Sequence, residues 1–406
     1  MPITRMKYAQ FDGGLYITGP SEQSPPNTLR KAVGLRGRLE KHIVSRYGSK
    51  THPGALAHSL FNFQSNWYCG TETGTLVRGT SAVATTIHTG LTGKKLTFVR
   101  MPPSPEVASQ NDYLFVAGGG MGTLLGQSGG ALPGNLFKVK SDGTTIQRWG
   151  IAIPVNGFLA AAGASGNLNG TYTYRVTFLN NTTGTRSNPN TADVTVTVIN
   201  QRVQLSNLPE SDDPQVDKLE IWRTVGNQAI PFLVAAITDG TSTYEDNISD
   251  IALTPTELPL DNIDPALASS FAFQEAAGPH AGRMWWTRNT KTGSSGRVYF
   301  SPSGRSEAVA GFVEVTSTDA PVQRIIPWNV SIYAFTKEGI YEIFGVDEPF
   351  IYRQIYGAPG TVYPWTVVPT AYGIVYRDNQ NAFRLFNGVQ ATIIGMAALT
   401  GVLIPG

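Results

Sequence analysis

The chain has 406 residues, 41% of them apolar and 15% charged, with a net charge of +2 and one cysteine. This is enough apolar chain for more than one folded unit, and it excludes a disordered, collagen-like or disulfide-stapled protein. No run approaches the roughly 20 apolar residues of a membrane-spanning helix, and no secretory apolar stretch follows the N-terminus, so the expected setting is a reducing cytosol or an assembly built there.

The 44 glycines and 26 prolines punctuate short runs rich in Val, Ile, Thr, Tyr and Phe, which predicts an all-β chain with many turns. Charge divides it into three parts. Residues 1–150 carry 16 Lys/Arg against 7 Asp/Glu, residues 152–262 carry 5 against 12, and residues 263–406 carry 10 of each. The expected boundaries are an extended basic arm with first strands over 1–50, a first set of hairpins over 51–150, an inserted unit over 151–262 and a second set over 263–406.

In the arm, Pro25 and Pro26 exclude a regular helix, and Arg30, Lys31, Arg36, Arg38, Lys41, Arg46 and Lys50 face a single acid, Glu40. Such a tract can neutralise nucleic-acid phosphates or answer an acidic partner surface. Hairpin patterning begins after residue 56. Residues 61–70 and 75–78 are predicted strands flanking a turn at 71–74, and residues 113–117 and 135–140 flank a long Gly-rich segment, 118–134, a candidate binding or flexible loop. Its prolines and glycines oppose the helix that a phosphate-cradling loop requires.

From residue 151 the texture changes. Tyr172, Tyr174, Val176 and Phe178 alternate with Thr171, Thr173, Arg175 and Thr177, predicting a strand with one buried face. Further short strands are expected at 192–199, 202–205, 218–223, 232–237 and 241–246. About seven strands with one tryptophan, Trp222, and no cysteine pair predict an immunoglobulin-like sandwich closer to the fibronectin type III kind. Hairpins on both sides make it an insertion in a surface loop.

Hairpins resume near Phe271. Residues 283–286 pair with 297–301, residues 312–315 and 350–356 add strands, and residues 391–406 start or finish another unit. Within this part, residues 325–345 are echoed by 367–387 at an offset of 42, matching Pro327 with Pro369, Ile332 with Ile374, Tyr341 with Phe383, Ile343 with Leu385 and Phe344 with Phe386. An internal period of about 40 to 50 residues built from hairpins marks propeller blades. The predicted fold is therefore an all-β propeller of about five to six blades interrupted by the sandwich.

The residues offer little chemistry. His42, His52, His58, His88 and His280 show no metal-ligand spacing, and no nucleophile elbow is present. Cys69 lies in an aromatic strand and reads as a small buried apolar residue. Asp212, Asp213 and Asp217 read as a solvated loop or weak calcium ligands, and Glu338 and Glu342 as a hairpin pair pointing to water. No catalytic, cofactor or metal residue is assigned.

Phe11-Asp12-Gly13-Gly14-Leu15, Pro25-Pro26-Asn27, Ala32-Val33-Gly34, Gly37-Arg38-Leu39 and Arg46-Tyr47-Gly48 resemble the opening of the tail nozzle or stabilisation (hub) proteins of short-tailed bacteriophages. Gly34 stands where that group usually has Asn. Gly357-Ala358-Pro359-Gly360, Gly373-Ile374-Val375-Tyr376 and residues 383–388 look like that group's C-terminal blades. The resemblance implies a structural virion protein, assembled in the host cytoplasm into a ring, hexameric in that group, around the DNA-ejection channel. It implies contacts with the adaptor or head-to-tail connector and the tail fibres, and transient contact with DNA. The candidate interaction residues are Arg30, Lys31, Arg36, Arg38, Lys41 and Arg46 in the arm, with Lys337 and Arg377 at the two repeated turns. The alternative is a carbohydrate-binding or carbohydrate-cleaving propeller with a sandwich binding module.

Overall fold

A computed structural model describes residues 35–37, 43–45, 57–80, 83–103, 112–118, 136–265, 273–287, 293–317 and 319–394. Arg30, Lys31, Arg38, Lys41 and Arg46, His42 and His52, and most of the Gly-rich segment lie outside the described residues. The backbone of Arg36 falls in a two-stranded pair, β1 (Leu35–Gly37) with β2 (Ile43–Ser45).

The chain is all-β. Among the described residues, five antiparallel four-stranded meanders follow in chain order, each pairing its strands in sequence order. The first holds β3 (Ala57–Phe63), β4 (Asn66–Thr71), β5 (Leu76–Gly79) and β6 (Ala84–His88). The second holds β7 (Thr97–Met101), β8 (Tyr113–Ala117), β9 (Leu136–Val139) and β10 (Ile146–Arg148). An insert of six strands comes next: β11 (Leu159–Asn180), β12 (Thr185–Arg186), β13 (Val194–Ser206), β14 (Lys218–Thr224), β15 (Pro231–Thr238) and β16 (Thr243–Asp246). The third meander is β17 (Glu275–His280), β18 (Arg283–Thr287), β19 (Arg297–Phe300) and β20 (Gly311–Glu314). The fourth is β21 (Val322–Trp328), β22 (Ser331–Thr336), β23 (Ile340–Phe344) and β24 (Ile351–Ile355). The fifth is β25 (Val368–Thr370), β26 (Gly373–Arg377), β27 (Phe383–Phe386) and β28 (Ala391–Ile393), so residue 391 finishes a unit rather than starting one.

Neighbouring meanders pack face to face and share a core. This explains why the second strands read as continuous apolar runs instead of alternating ones. In β8, Leu114 and Val116 pack toward the first meander, whereas Tyr113, Phe115 and Ala117 pack toward the third. In β18, Trp285 faces the fourth meander and Met284 and Trp286 face the second. In β22, Ile332 and Ala334 join the third meander's core while Tyr333 and Phe335 join the fifth's. At roughly 25 cal/mol per Å2, burying both faces of such strands is the main force holding the stack.

Two local expectations are corrected. Residues 61–70 are not one strand: a two-residue turn at Gln64 and Ser65, with φ of 51° and 60°, separates β3 from β4. The repeat also slips. Pro327 lies opposite Ile332 and Pro369 opposite Ile374, so the offset of 42 holds across the first hairpin. In the second hairpin Ile332 faces Ile343, but Ile374 faces Phe386. The turn 378–382 carries one residue more than 336–339, so Phe386 takes the buried place of Ile343 and Leu385 does not. A one-residue slip would turn every side chain of β27 over, and the longer turn prevents that.

In the insert, Tyr172, Tyr174, Val176 and Phe178 line one core with Val198, Val203, Leu205, Leu219 and Ile221, as their alternation predicts. Residues 192–199 and 202–205 merge into β13 across Asn200, whose φ is 51°. All six strands belong to one hydrogen-bonded sheet, and both flanking strands, β15 and β16, pack on that same core, which requires the sheet to curl. Trp222 is buried on the face opposite this core, where its indole donates to Thr177 Oγ1 at 2.8 Å.

Candidate functional site

The first strands of successive meanders, β3, β7, β17, β21 and β25, run side by side around a central cavity of about 530 Å3. Trp365, in the short 3-10 turn before β25, forms part of its wall. Two cations reach that ring: Lys95 Nζ lies 5.5 Å from its centroid and the Arg324 guanidinium 4.9 Å. Behind Arg324, the buried Glu275 pairs with it at 3.2 Å and accepts from the Ile325 amide at 3.0 Å.

A second polar centre joins the insert to the meanders. Lys138 on β9 and Glu307 before β20 form a buried ion pair, with Nζ 2.6 and 2.7 Å from the two carboxylate oxygens. Glu307 also accepts from the Gly150 amide at 2.6 Å and from Thr185 Oγ1 at 3.1 Å, and its carbonyl accepts from the Ile263 amide at 2.9 Å. One residue thus holds both ends of the insert and a turn inside it. Asn188 and Asn262 exchange hydrogen bonds across the same junction at 2.8 and 2.9 Å, and Arg305 grips Asp261 through two nitrogens. Arg186 adds a pair with the buried Glu220, whose carboxyl is pushed above its ordinary range by burial.

The two turns carrying Lys337 and Arg377 are built differently from free contact loops. Lys337 is exposed, but its carbonyl accepts from the Asn379 side chain of the other turn. Arg377 lies at the end of β26 with its guanidinium 4.3 Å over the Tyr363 ring. Asp378 is fully buried; it accepts from the amides of Gln380 and Ala382 and from Arg384 Nε. Thr336 does the same work in the earlier turn, accepting from the amides of Glu338 and Gly339. Each turn is closed by its own polar side chain and leans on the other.

Several residues sit other than expected. Glu342 is buried, accepting from Ser331, Tyr333 and Arg353, whereas Glu338 does point to water. Asp213 is buried and binds the Gln215 amide and side chain, so only Asp212 and Asp217 of that group are exposed. His88 packs on Phe137 at 4.9 Å, and burial pushes its imidazole below the ordinary value. Cys69 is buried as expected, with its thiol pushed up by burial, away from the reactive thiolate. Among the described residues, no three His, Cys, Asp or Glu side chains gather as a metal site would require, and no helix is long and apolar enough to cross a membrane.

Sequence patterns gave no notice of Lys138 with Glu307, 169 positions apart, or of Lys95, Arg324 and Trp365. A lysine inside the apolar strand β9 was the one available signal, since an uncompensated charge there would be costly.

No protein-family model and no curated protein matches the chain. Solved structures similar to it include the computationally designed Ika8 protein, at 8% identity over 84% of this chain and 86% of that one, with a TM-score of 0.28. Saccharomyces cerevisiae Sqt1 matches at 11% identity over 84% and 85%, with a TM-score of 0.25. The fungal lectin aleuria aurantia lectin, a six-bladed β-propeller, matches at 11% identity over 81% and 89%, with a TM-score of 0.24. Likenesses this weak carry no weight for the fold or function of this chain.

Proposed function

We propose that the chain is a building block of a bacteriophage tail: a β-propeller whose blades are the five meanders, carrying a fibronectin-like domain built from the one curled sheet as a fixed decoration and assembling into a ring below the head-to-tail connector. The arm and C-terminal motifs favour this reading, and the observation that carries it on the structural side is the Glu307 clasp. A ring subunit must hold its decorations at constant angles to its neighbours, and a buried ion pair with three further hydrogen bonds gives that rigidity. In this reading the role is structural rather than catalytic, the subunits form a hexamer in the virion, and the basic arm lies across a neighbour or near passing DNA.

The carbohydrate alternative is disfavoured at the central cavity, because the aromatic face there, Trp365, is already occupied by Lys95 and Arg324 instead of lying bare for a sugar ring. Mass photometry of the purified chain, alone and mixed with connector rings, tests the proposal. Closed rings of a fixed multiple of the 43.7 kDa subunit are expected; a protein monomeric under both conditions would end it.

A further inference from the structure

The central cavity has a composition that the structural role does not call for. Its wall residues include two cations, Lys95 and Arg324, and no carboxylate. Glu275 offsets Arg324 from behind. Lys95 is exposed and pairs with no carboxylate among the described residues, and Arg324 Nε, though buried, has no hydrogen-bond partner among them. Lys95 therefore brings to the indole ring a positive charge that no carboxylate of the wall offsets. Besides Ser59 and Thr97, the wall carries the apolar side chains of Leu60, Phe61 stacked 5.6 Å from Phe98, Ile325, Val368 and Pro369.

The backbone is also irregular where it meets this space. The ladder of β3 breaks between His58 and Phe61, with Ser59 held at a φ of 57°, and the bulge leaves Leu60 74% exposed. β17 shifts register between Ala277 and His280, and β21 between Val322 and Arg324. Three of the five innermost strands thus depart from regular pairing at residues that line the cavity or adjoin it. Bulges re-aim side chains and collect beside binding sites, and a non-glycine residue at positive φ persists only when its surroundings enforce it.

We infer that the central cavity is a binding site for a small amphipathic organic anion. Its phosphate or carboxylate head is received by Lys95 Nζ and Arg324, and its apolar body rests on Leu60, Phe61 and Val368. The volume suits a ligand of that size, since small-molecule sites commonly span about 300–1,000 Å3. This inference stands apart from the ring-forming role, and either can fail alone.

Titration calorimetry of the full chain with phenyl phosphate, benzoate, inorganic phosphate and benzyl alcohol provides the test. Phenyl phosphate or benzoate is expected to bind one to one, inorganic phosphate more weakly, and the neutral alcohol not measurably; the tighter of the first two identifies the head group. Lys95→Gln is expected to weaken that binding about tenfold to a hundredfold, the effect of removing one charge-assisted contact. Because Lys95 is exposed and loses only a long contact with Trp365, this variant should melt close to the parent protein. Leu60→Asp should weaken the organic anions more than inorganic phosphate. Absence of binding by both organic anions at millimolar concentration, or equal affinity in Lys95→Gln, would overturn the inference.

Discussion

Lys138 and Glu307 are the residues whose loss the molecule should feel most. Both are withdrawn from water, so removing one leaves the other as a buried, uncompensated charge. The Lys138 ammonium also sits 5.6 Å from the Tyr113 ring, and burial, followed by the Glu307 charge, pushes that phenol up to about 12. Glu307→Gln is expected to destabilise the protein by about 3–5 kcal/mol, whereas Lys138→Met with Glu307→Leu should recover much of that, because the desolvation cost of both charges disappears together. Denaturant unfolding of the two variants checks the contrast. His88 makes a pH prediction. Its folded imidazole binds a proton less readily than the unfolded one, so stability declines as pH falls through about 6.5 and levels off below the depressed folded value. The melting temperature of His88→Phe should therefore drop less than that of the parent protein on acidification, all other titrating groups being shared.

Among the elements, the tight turns set register, and glycine is needed where the chain doubles back closely. At Gly74, φ is 77° and a Cβ would fall 1.9 Å from the Leu91 carbonyl oxygen, so Gly74→Ala should cost at least about 1–3 kcal/mol by the same unfolding measurement. The repeated turns bear differently on assembly. Lys337→Glu changes an exposed charge and should leave the melting temperature unmoved, so a lower ring yield from it would place that turn at a subunit contact. Arg377→Glu also forfeits the stacking on Tyr363, about 0.5–1 kcal/mol, and so mixes stability with contact. Much of this level was readable in advance. Tyr113–Ala117 is one strand to the residue, and alternation from Tyr172 to Phe178 named a buried face correctly. The equivalence of Phe386 with Ile343 was not readable, because the offset of 42 matches Leu385 with Ile343 while the extra turn residue moves the ladder by one. Trp222 misled for a related reason: the strand β14 is buried on both faces, so a tryptophan there does not say which core it serves.

For the molecule as a whole, the acidic stretch 152–262 contains the six-stranded sheet, and four-stranded meanders come before and after it. What composition could not convey is how the parts are joined, because polar contacts between distant segments leave no periodic trace. The approach of the insert's ends is especially close. A Cβ on Gly150 would stand 2.2 Å from the Ile263 carbonyl oxygen, and Trp149 and Ile263 belong to the same core. Replacing residues 152–261 with a short Gly-Ser bridge should therefore leave a folded body, checked by the retention of its near-ultraviolet circular dichroism and a cooperative melt. The doorway at Gly150 and Ile263 consequently works as a cloning site made by folding: a foreign domain whose own termini nearly touch could be spliced there and displayed at a fixed place, its freight exchanged while the carrier keeps its shape.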